Sequence, residues 1–84
     1  MRPIRFTKHA LAQCIERGTN EIEVTEAIVN GNQKPAKNGK LEYRYDFQFN
    51  GEWQGRSYTI KRVSPIIAES ETEIVVITVY TFYF

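Results

Sequence analysis

Three side chains near the two ends of this sequence could together handle a phosphodiester without a metal ion. His9 and Arg17 lie on one predicted helix, and Tyr80 lies in the apolar run of residues 74–84. Histidine moves protons near neutral pH, arginine stabilises the negative charge of a phosphorane, and a phenol donates a hydrogen bond or a proton. A fold that pairs the first helix with the last strand would bring the three groups together, so we treat them as candidate catalytic residues.

Five further polar side chains are candidates for binding the same substrate. Gln13 falls midway between His9 and Arg17, at a spacing of i, i+4 and i+8. The three residues therefore lie along one side of the helix, in a row that rotates slowly around its axis. Thr78 shares a strand face with Tyr80. The other three are basic side chains of predicted strands that could contact an RNA backbone: Arg44, Lys61 and Arg62.

Each candidate also has an ordinary structural explanation. A histidine in the first helical turn contacts backbone or water, an arginine in the last turn interacts with helix carbonyls, and strand tyrosines and threonines follow strand propensity. Charged strand side chains are most often solvated. Trp53 and Tyr58 could stack on bases, but a tryptophan in a turn can also cover a sheet edge or mark a protein interface. Cys14 lies on an apolar helical stripe, where a core position is more common than a nucleophile.

The composition describes one globular domain over residues 1–84. Hydrophobic residues make up 42% of the chain and charged residues 25%, which excludes a disordered class. The single cysteine rules out an internal disulfide. We expect a cytoplasmic protein without membrane contact, because the N-terminus lacks a signal-peptide run and the apolar C-terminal run is too short to span a membrane. No metal-ligand spacing and no glycine-rich phosphate loop is present, so no cofactor is expected.

Charge is unevenly distributed, although the formal net charge is only +1. Residues 30–62 carry seven basic and three acidic side chains, while residues 63–84 carry three acidic side chains and no basic one. A local basic stretch permits contact with phosphates. The near-neutral total argues against strong nonspecific binding to nucleic acid, which is mostly charge neutralisation.

Two helices are predicted at the N-terminus. Thr7 caps the first helix and Gly18 ends it, while Asn20 caps the second with Glu23 completing a capping box. Asn30 and Gly31 stop the second helix. The apolar spacing then predicts two buried stripes: Leu11, Cys14 and Ile15 on the first helix, and Val24, Ala27 and Ile28 on the second.

Strands follow in the rest of the chain. Residues 30–40 have the composition of a loop, residues 41–49 alternate between apolar and polar side chains, and residues 56–63 complete a hairpin. Ser64 and Pro65 interrupt that hairpin strand, and residues 66–68 could extend it after a bend. Residues 74–84, apolar on both faces, form an interior strand. The order predicts an α+β domain with two N-terminal helices packed on a three- or four-stranded, mostly antiparallel sheet. The expected core includes Ile15, Val24, Ile28, Tyr43, Tyr45, Phe47, Ile60, Val76 and Val79.

The motifs at the two ends resemble a known family. Thr7-x-His9-Ala10, Arg17-Gly18, the Asn-capped second helix and the final Ile77-Thr78-Val79-Tyr80 strand are similar to the bacterial domain of unknown function numbered four-two-five-eight. The resemblance implies a place with the barnase–EndoU–colicin–RelE group, whose small α+β domains include metal-independent ribonucleases and toxins of toxin–antitoxin systems. Many members carry a second basic residue where this chain has Gln13, and this departure weakens the argument for catalysis.

Two functions are consistent with these observations. In the first, the protein is an RNA-directed domain in which His9 moves a proton, Arg17 stabilises phosphorane charge, and Tyr80 with Thr78 positions the phosphate. In the second, it is a non-catalytic protein-interaction module on the same fold. The last residues, Phe82, Tyr83 and Phe84, cannot all be buried in so small a core. We therefore expect this segment to contact another protein, either an antitoxin-like partner or a second copy.

Overall fold

The computed structural model describes residues 2–84 and consists of two helices packed on one face of a five-stranded sheet. The elements are β1 (Ile4–Phe6), α1 (Lys8–Arg17), α2 (Glu21–Asn30), β2 (Asn32–Pro35), a 3₁₀ turn (Lys37–Gly39), β3 (Leu41–Trp53), β4 (Arg56–Glu69) and β5 (Ile74–Tyr83). The predicted α+β class and the packing of the helices are confirmed, with a slightly higher strand count. Within the described residues, no helix is long and apolar enough to cross a membrane.

The strands lie in the order β1-β5-β4-β3-β2. The β1–β5 pair is parallel, and every other neighbouring pair is antiparallel. β5 is therefore interior, as predicted, but β1 pairs only with Ile74, Val75 and Val76. Within residues 2–84, no strand lies beside this edge of β5 beyond Val76, and another element must satisfy the backbone groups there.

Two short strands were not predicted, because pairing with neighbouring strands stabilises them and their short local sequences do not by themselves predict a strand. β1 is three residues long, and β2 lies in the segment whose composition predicts a loop. β2 is exposed throughout and pairs with the start of β3, from Asn32 opposite Arg44 to Pro35 opposite Leu41. The prediction that Pro65 interrupts its strand was wrong in that β4 continues through this residue, which is buried opposite Val79.

The core lies between the helices and one face of the sheet. Val24, Ile28, Val76 and Val79 are buried as predicted, while Tyr43, Tyr45 and Phe47 pack against them as half-buried rings. The prediction for Ile15 was wrong, since this side chain is 82% exposed. Ile60 was also misplaced, because it is only half-buried and pairs with Gln48 on the face that carries no helix, which we call the open face. The buried apolar residues are Ala10, Cys14, Val24, Ala27, Ile28, Val63, Ile67, Ile74, Val76 and Val79.

Both predicted helix caps are present. The Thr7 hydroxyl accepts a hydrogen bond from the Ala10 N–H at 3.0 Å, and the Asn20 side-chain oxygen accepts one from the Glu23 N–H at 2.8 Å. α1 ends at Gly18, whose φ of 75° is in the left-handed region that favours glycine. This residue also lies in tight packing, because an added Cβ would be 2.5 Å from the Tyr83 hydroxyl.

A bulge in β5 decides which side chains reach the open face. Ile66 of β4 pairs with Thr78, whereas Ile67 pairs with Val76, so Ile77 is an extra residue in β5. Strand alternation restarts after it. Before the bulge Ile74 and Val76 face the helices, and after it Val79, Thr81 and Tyr83 do so. The open face therefore receives Thr78, Tyr80 and Phe82.

Candidate functional site

Helix α1 lies along the part of the β5 edge that β1 leaves uncovered. The Thr7 hydroxyl donates to the Ile77 carbonyl at 3.3 Å. The Gln13 side-chain oxygen accepts from the Val79 N–H at 2.8 Å, and an Arg17 Nη donates to the Val79 carbonyl at 2.8 Å. Side chains of the helix thus satisfy backbone groups that a neighbouring strand would otherwise satisfy.

This edge contact explains why α1 is rotated from its predicted orientation. Ala10, Gln13 and Cys14 are buried, and Arg17 completes the i, i+3, i+4, i+7 stripe that faces the protein. Gln13 is only 8% exposed because it is needed at the Val79 N–H. Its placement gives it an internal partner rather than a position on an accessible surface, and it takes no part in the site described below.

Arg17 and Tyr80 meet at the rim of the open face. The Arg17 Cζ lies 5.0 Å from the centre of the Tyr80 ring, within the range of a cation–π contact. The guanidinium group has further N–H donors beyond the one on Val79. Tyr80 is 42% exposed, so its ring and hydroxyl can reach a ligand. The structure therefore brings together two of the three candidate catalytic residues.

His9 is exposed in the first turn of α1, two residues after the Thr7 cap. It lies one turn before Gln13 but, unlike the buried Gln13, is exposed. The structure places it neither in the Arg17–Tyr80 contact nor among the residues that line the cavity beside Tyr80, so its participation requires a substrate that extends from that contact to the first turn of α1.

A cavity of about 390 Å³ lies on the open face beside Tyr80. Ile66 and Ile77 contribute apolar walls, Thr78 and Tyr80 contribute hydroxyl groups, and the 3₁₀ turn contributes lysine stems. The two lysines were not among the predicted site residues, although the basic charge of residues 30–62 was a usable signal. The full lining is Ala36, Lys37, Lys40, Glu42, Ile66, Ile77, Thr78 and Tyr80.

The three predicted RNA-contacting cations have different surroundings. Lys61 is buried on the helix side of the sheet, with its Nζ 2.6 Å from the Glu23 carboxylate and 2.9 Å from the Gly18 carbonyl oxygen. It bridges α2 and the α1–α2 turn and is not accessible to RNA. Arg44 and Arg62 lie on the open face, where each is paired with a carboxylate of β3.

The pair formed by Arg62 and Asp46 is bidentate, with N–O distances of 2.7 and 3.1 Å. Hydrogen bonds from the Arg62 guanidinium lower the pKa of the Asp46 carboxyl below its ordinary value. The Arg62 Cζ also lies 5.1 Å from the centre of the Phe84 ring. A flat guanidinium group is thus held rigidly beside an exposed aromatic ring.

Trp53 and Tyr58 belong to an aromatic cluster around Tyr83. Trp53 stacks on the Tyr83 ring with a centroid distance of 5.2 Å and 14° between the planes, and Tyr58 lies 5.6 Å from the same ring. The Tyr83 hydroxyl donates to the Arg17 carbonyl at 2.8 Å. These contacts use the rings to hold the end of β5 against α1.

Cys14 lies in the core, and burial raises the pKa of its thiol above the ordinary value, with smaller contributions from Glu21 and Glu23. A buried thiol of raised pKa is a poor nucleophile. Among residues 2–84, no group of three or more histidine, cysteine, aspartate or glutamate side chains is arranged to hold a metal ion.

Comparison with known proteins assigns the chain to a family. No curated protein and no solved structure matches this chain. The model of a family described as a domain of unknown function (DUF4258) matches residues 6–81. That range contains the whole of α1 and the Thr78–Tyr80 part of β5, and so both sides of the Arg17–Tyr80 contact. The chain therefore belongs to the family described as a domain of unknown function (DUF4258).

Proposed function

We propose that this protein is a small RNA-directed domain that cleaves RNA without a metal ion, in the manner of toxin-type ribonucleases. The observation that carries the proposal is the contact of Arg17 with Tyr80, a residue that lines the open-face cavity. A guanidinium group and a phenol at one exposed position can bind a phosphodiester and act on it. We place this activity in the cytoplasm, where a chain with one cysteine has no disulfide to lose.

The charge around the cavity supports an anionic ligand. The Glu42 carboxylate is balanced by Arg44 at 2.8 Å and by Lys34 at 3.9 Å. Among the residues that the structure describes, Lys37 and Lys40 form no ion pair. Two uncompensated ammonium groups beside an apolar wall attract a phosphate while leaving room for a ribose or a base.

The reaction that fits these groups is an internal transfer. The ribose 2′-oxygen attacks the adjacent phosphorus, and His9 accepts the proton of that hydroxyl. Arg17 and the two lysines stabilise the added negative charge on the phosphorane oxygens. The bond from phosphorus to the 5′-oxygen then breaks, and the leaving oxygen takes a proton from the Tyr80 phenol. Thr78 donates a hydrogen bond to a phosphate oxygen and fixes its position.

The alternative function is a protein-interaction module that has kept the fold without the chemistry. The specific observation in its favour is the apolar outer surface of the helices, where Ile15 and Ile22 are each 82% exposed. Gln13 adds to it, since this side chain accepts a hydrogen bond from the Val79 N–H at the β5 edge and supplies no charge to the site. The partner would be an antitoxin-like protein or a second copy of this chain.

Cleavage of single-stranded RNA in excess EDTA separates the two functions. We expect the wild type to cleave, and His9→Ala and Tyr80→Phe each to lower the single-turnover rate by about 10²- to 10⁴-fold, the usual contribution of a general acid or base. Tyr58→Phe is the matched control, because Tyr58 belongs to the aromatic cluster on the other side of the sheet.

Two results would refute the ribonuclease proposal. One is intact RNA with folded wild-type protein, together with unimpaired growth of cells that express it. The other is equal cleavage by wild type and the His9→Ala and Tyr80→Phe variants, which would indicate a contaminating nuclease.

A further inference from the structure

We infer that the open face binds its RNA as a single strand, with successive bases stacked on the rings of Tyr80, Phe82 and Phe84. This inference rests on the proposed RNA-directed function and names the form of the substrate. We call these three rings the aromatic row. Tyr80 and Phe82 belong to β5 and Phe84 directly follows it. Their exposed fractions are 42%, 50% and 52%, which is unusual for large apolar side chains at three alternate positions.

The spacing of the aromatic row suits bases that are separated from one another. Residues at i, i+2 and i+4 of a strand share one face and are about 6.5–7 Å apart. Bases in a duplex are stacked about 3.4 Å apart, so a paired helix cannot present a separate base to each ring. A single strand can open to this distance and place one base face on each ring.

Cationic groups lie at both ends of the aromatic row. The Arg17 Cζ is 5.0 Å from the Tyr80 ring, and the Arg62 Cζ is 5.1 Å from the Phe84 ring. Asp46 balances the charge of Arg62 and holds its guanidinium group in place. The plane of that guanidinium group remains a flat surface for a base. The excess positive charge is at the Tyr80 end, where Lys37 and Lys40 border the cavity.

This charge pattern favours a nucleic acid over an apolar protein surface as the occupant. An apolar protein surface would cover the rings but would leave the unpaired cations beside them without an anionic partner. A single strand supplies both complements, because its bases are flat and its phosphates are anionic. The arrangement also gives a direction: the reacting phosphate lies at Tyr80, and the neighbouring nucleotides extend along β5 toward Phe84.

The test is binding of a short single-stranded RNA that carries 2-aminopurine and 2′-O-methyl groups, so that stacking is read by fluorescence and cleavage is blocked. We expect Phe82→Leu and Phe84→Leu each to weaken binding by about 5- to 150-fold, the usual loss for one base–aromatic stack. Phe82→Tyr and Phe84→Tyr should bind like the wild type. Val29→Ala, an exposed apolar position on α2, is the control, and a duplex of the same sequence should bind far more weakly.

The outcomes separate this inference from the proposed function. Cleavage of unmodified RNA with unchanged binding by the leucine variants would overturn the stacking inference alone. Weaker binding by those variants with no cleavage by any protein would uphold stacking and refute the ribonuclease. Failure of the wild type to bind single-stranded RNA overturns the inference, and so does a wild-type dimer that light scattering shows to dissociate on Phe82→Asp.

Discussion

Gln13 shows how one polar side chain can determine the orientation of a helix. Its oxygen is the partner of the Val79 N–H, and the rotation of α1 that this requires turns Ile15 to solvent. The apolar spacing alone favours the opposite rotation. An unpaired buried backbone donor costs about 1–3 kcal/mol, which is similar to the gain from burying one isoleucine. The bond from Arg17 to the Val79 carbonyl oxygen adds to the observed rotation and decides in its favour.

Replacing this side chain should therefore be costly. We expect Gln13→Leu to lower the free energy of unfolding by about 1–3 kcal/mol, because it leaves the Val79 N–H buried and unpaired. The same change at Gln48, an exposed residue of β3, should have an effect within about 0.5 kcal/mol. Urea denaturation measures both, and equal stabilities for the two variants would show that the Val79 N–H finds another partner.

The Asp46–Arg62 pair should make a small, pH-dependent contribution to stability. The folded-state pKa of Asp46 is lowered below its ordinary value of 3.8, mainly by hydrogen bonds from Arg62. The pair is therefore stabilising above that value, and the contribution is lost as the pH falls through the folded-state pKa. Because the pair is well exposed, we expect Asp46→Asn to cost less than about 1 kcal/mol at pH 7.

The measurement is the difference in unfolding free energy between wild type and Asp46→Asn at pH 7 and near pH 2.5. The difference should shrink at the lower pH. Glu52→Gln, at an exposed residue near the end of β3, serves as the control and should show no comparable change. A difference that grew on acidification would contradict the stated sign.

For individual residues, the sequence predicted which residue types lie at the site better than it predicted the contacts that each of them makes. The meeting of Arg17 and Tyr80 followed from pairing the first helix with the last strand. The ion pair of Lys61 with Glu23 did not, because strand alternation cannot tell which face of a sheet the helices will cover. Lys37 and Lys40 reach the cavity only because β2 pairs with β3, which local composition does not reveal.

Among the elements, the boundary between α1 and α2 is the most constrained. Gly18 ends α1 in a left-handed conformation and lies against Tyr83 and Trp53, so both backbone and packing demand glycine. Caps and glycine signals follow local rules, and this is why the helices were predicted closely. β1 and β2 form strands because they pair with partner strands, so their own short sequences did not predict a strand.

A pair of glycine substitutions can separate the two demands on this turn. Gly39 has a similar φ of 73° but nothing within 4 Å of an added Cβ. We expect Gly39→Ala to cost about 1–2 kcal/mol for left-handed strain alone. Gly18→Ala should cost at least about 2 kcal/mol more, because its methyl group would overlap the Trp53 ring and the Tyr83 hydroxyl.

Thermal and urea unfolding of the two variants give the comparison. If Gly18→Ala were no worse than Gly39→Ala, the aromatic cluster would have to be mobile enough to accept a methyl group. A Trp53→Leu background offers a further check, since the smaller side chain should recover part of the cost specific to Gly18.

For the whole molecule, Cys14 provides a built-in probe of unfolding. Its thiol lies on the buried side of α1, and burial raises its pKa. Both effects slow alkylation, because the thiolate is the reactive form and the reagent must reach it. We expect the folded protein at pH 8 to react with iodoacetamide at least about 100-fold more slowly than the protein in 6 M guanidinium, as followed by mass spectrometry.

The labelling rate should also follow global stability. We expect Gln13→Leu to raise the labelling rate of the folded protein. The ratio of the variant rate to the wild-type rate should match the loss of unfolding free energy that the substitution causes. Rapid labelling of the wild type under native conditions would instead mean that α1 separates from β5 without unfolding of the rest.

The extra residue in β5 determines which length changes the open face can tolerate. Because Ile77 is that residue, deleting it would leave Val76, Thr78 and Val79 in regular alternation, each on its present face. Deleting one residue after the bulge, such as Thr81, would instead turn Phe82 and Phe84 toward the helices and Tyr83 to the open face. Length variation within this family should therefore be tolerated at Ile77 and in the exposed Ser70–Thr72 turn, and selected against between Thr78 and Tyr83, so that an alignment gap there would mark members whose open face has changed its purpose.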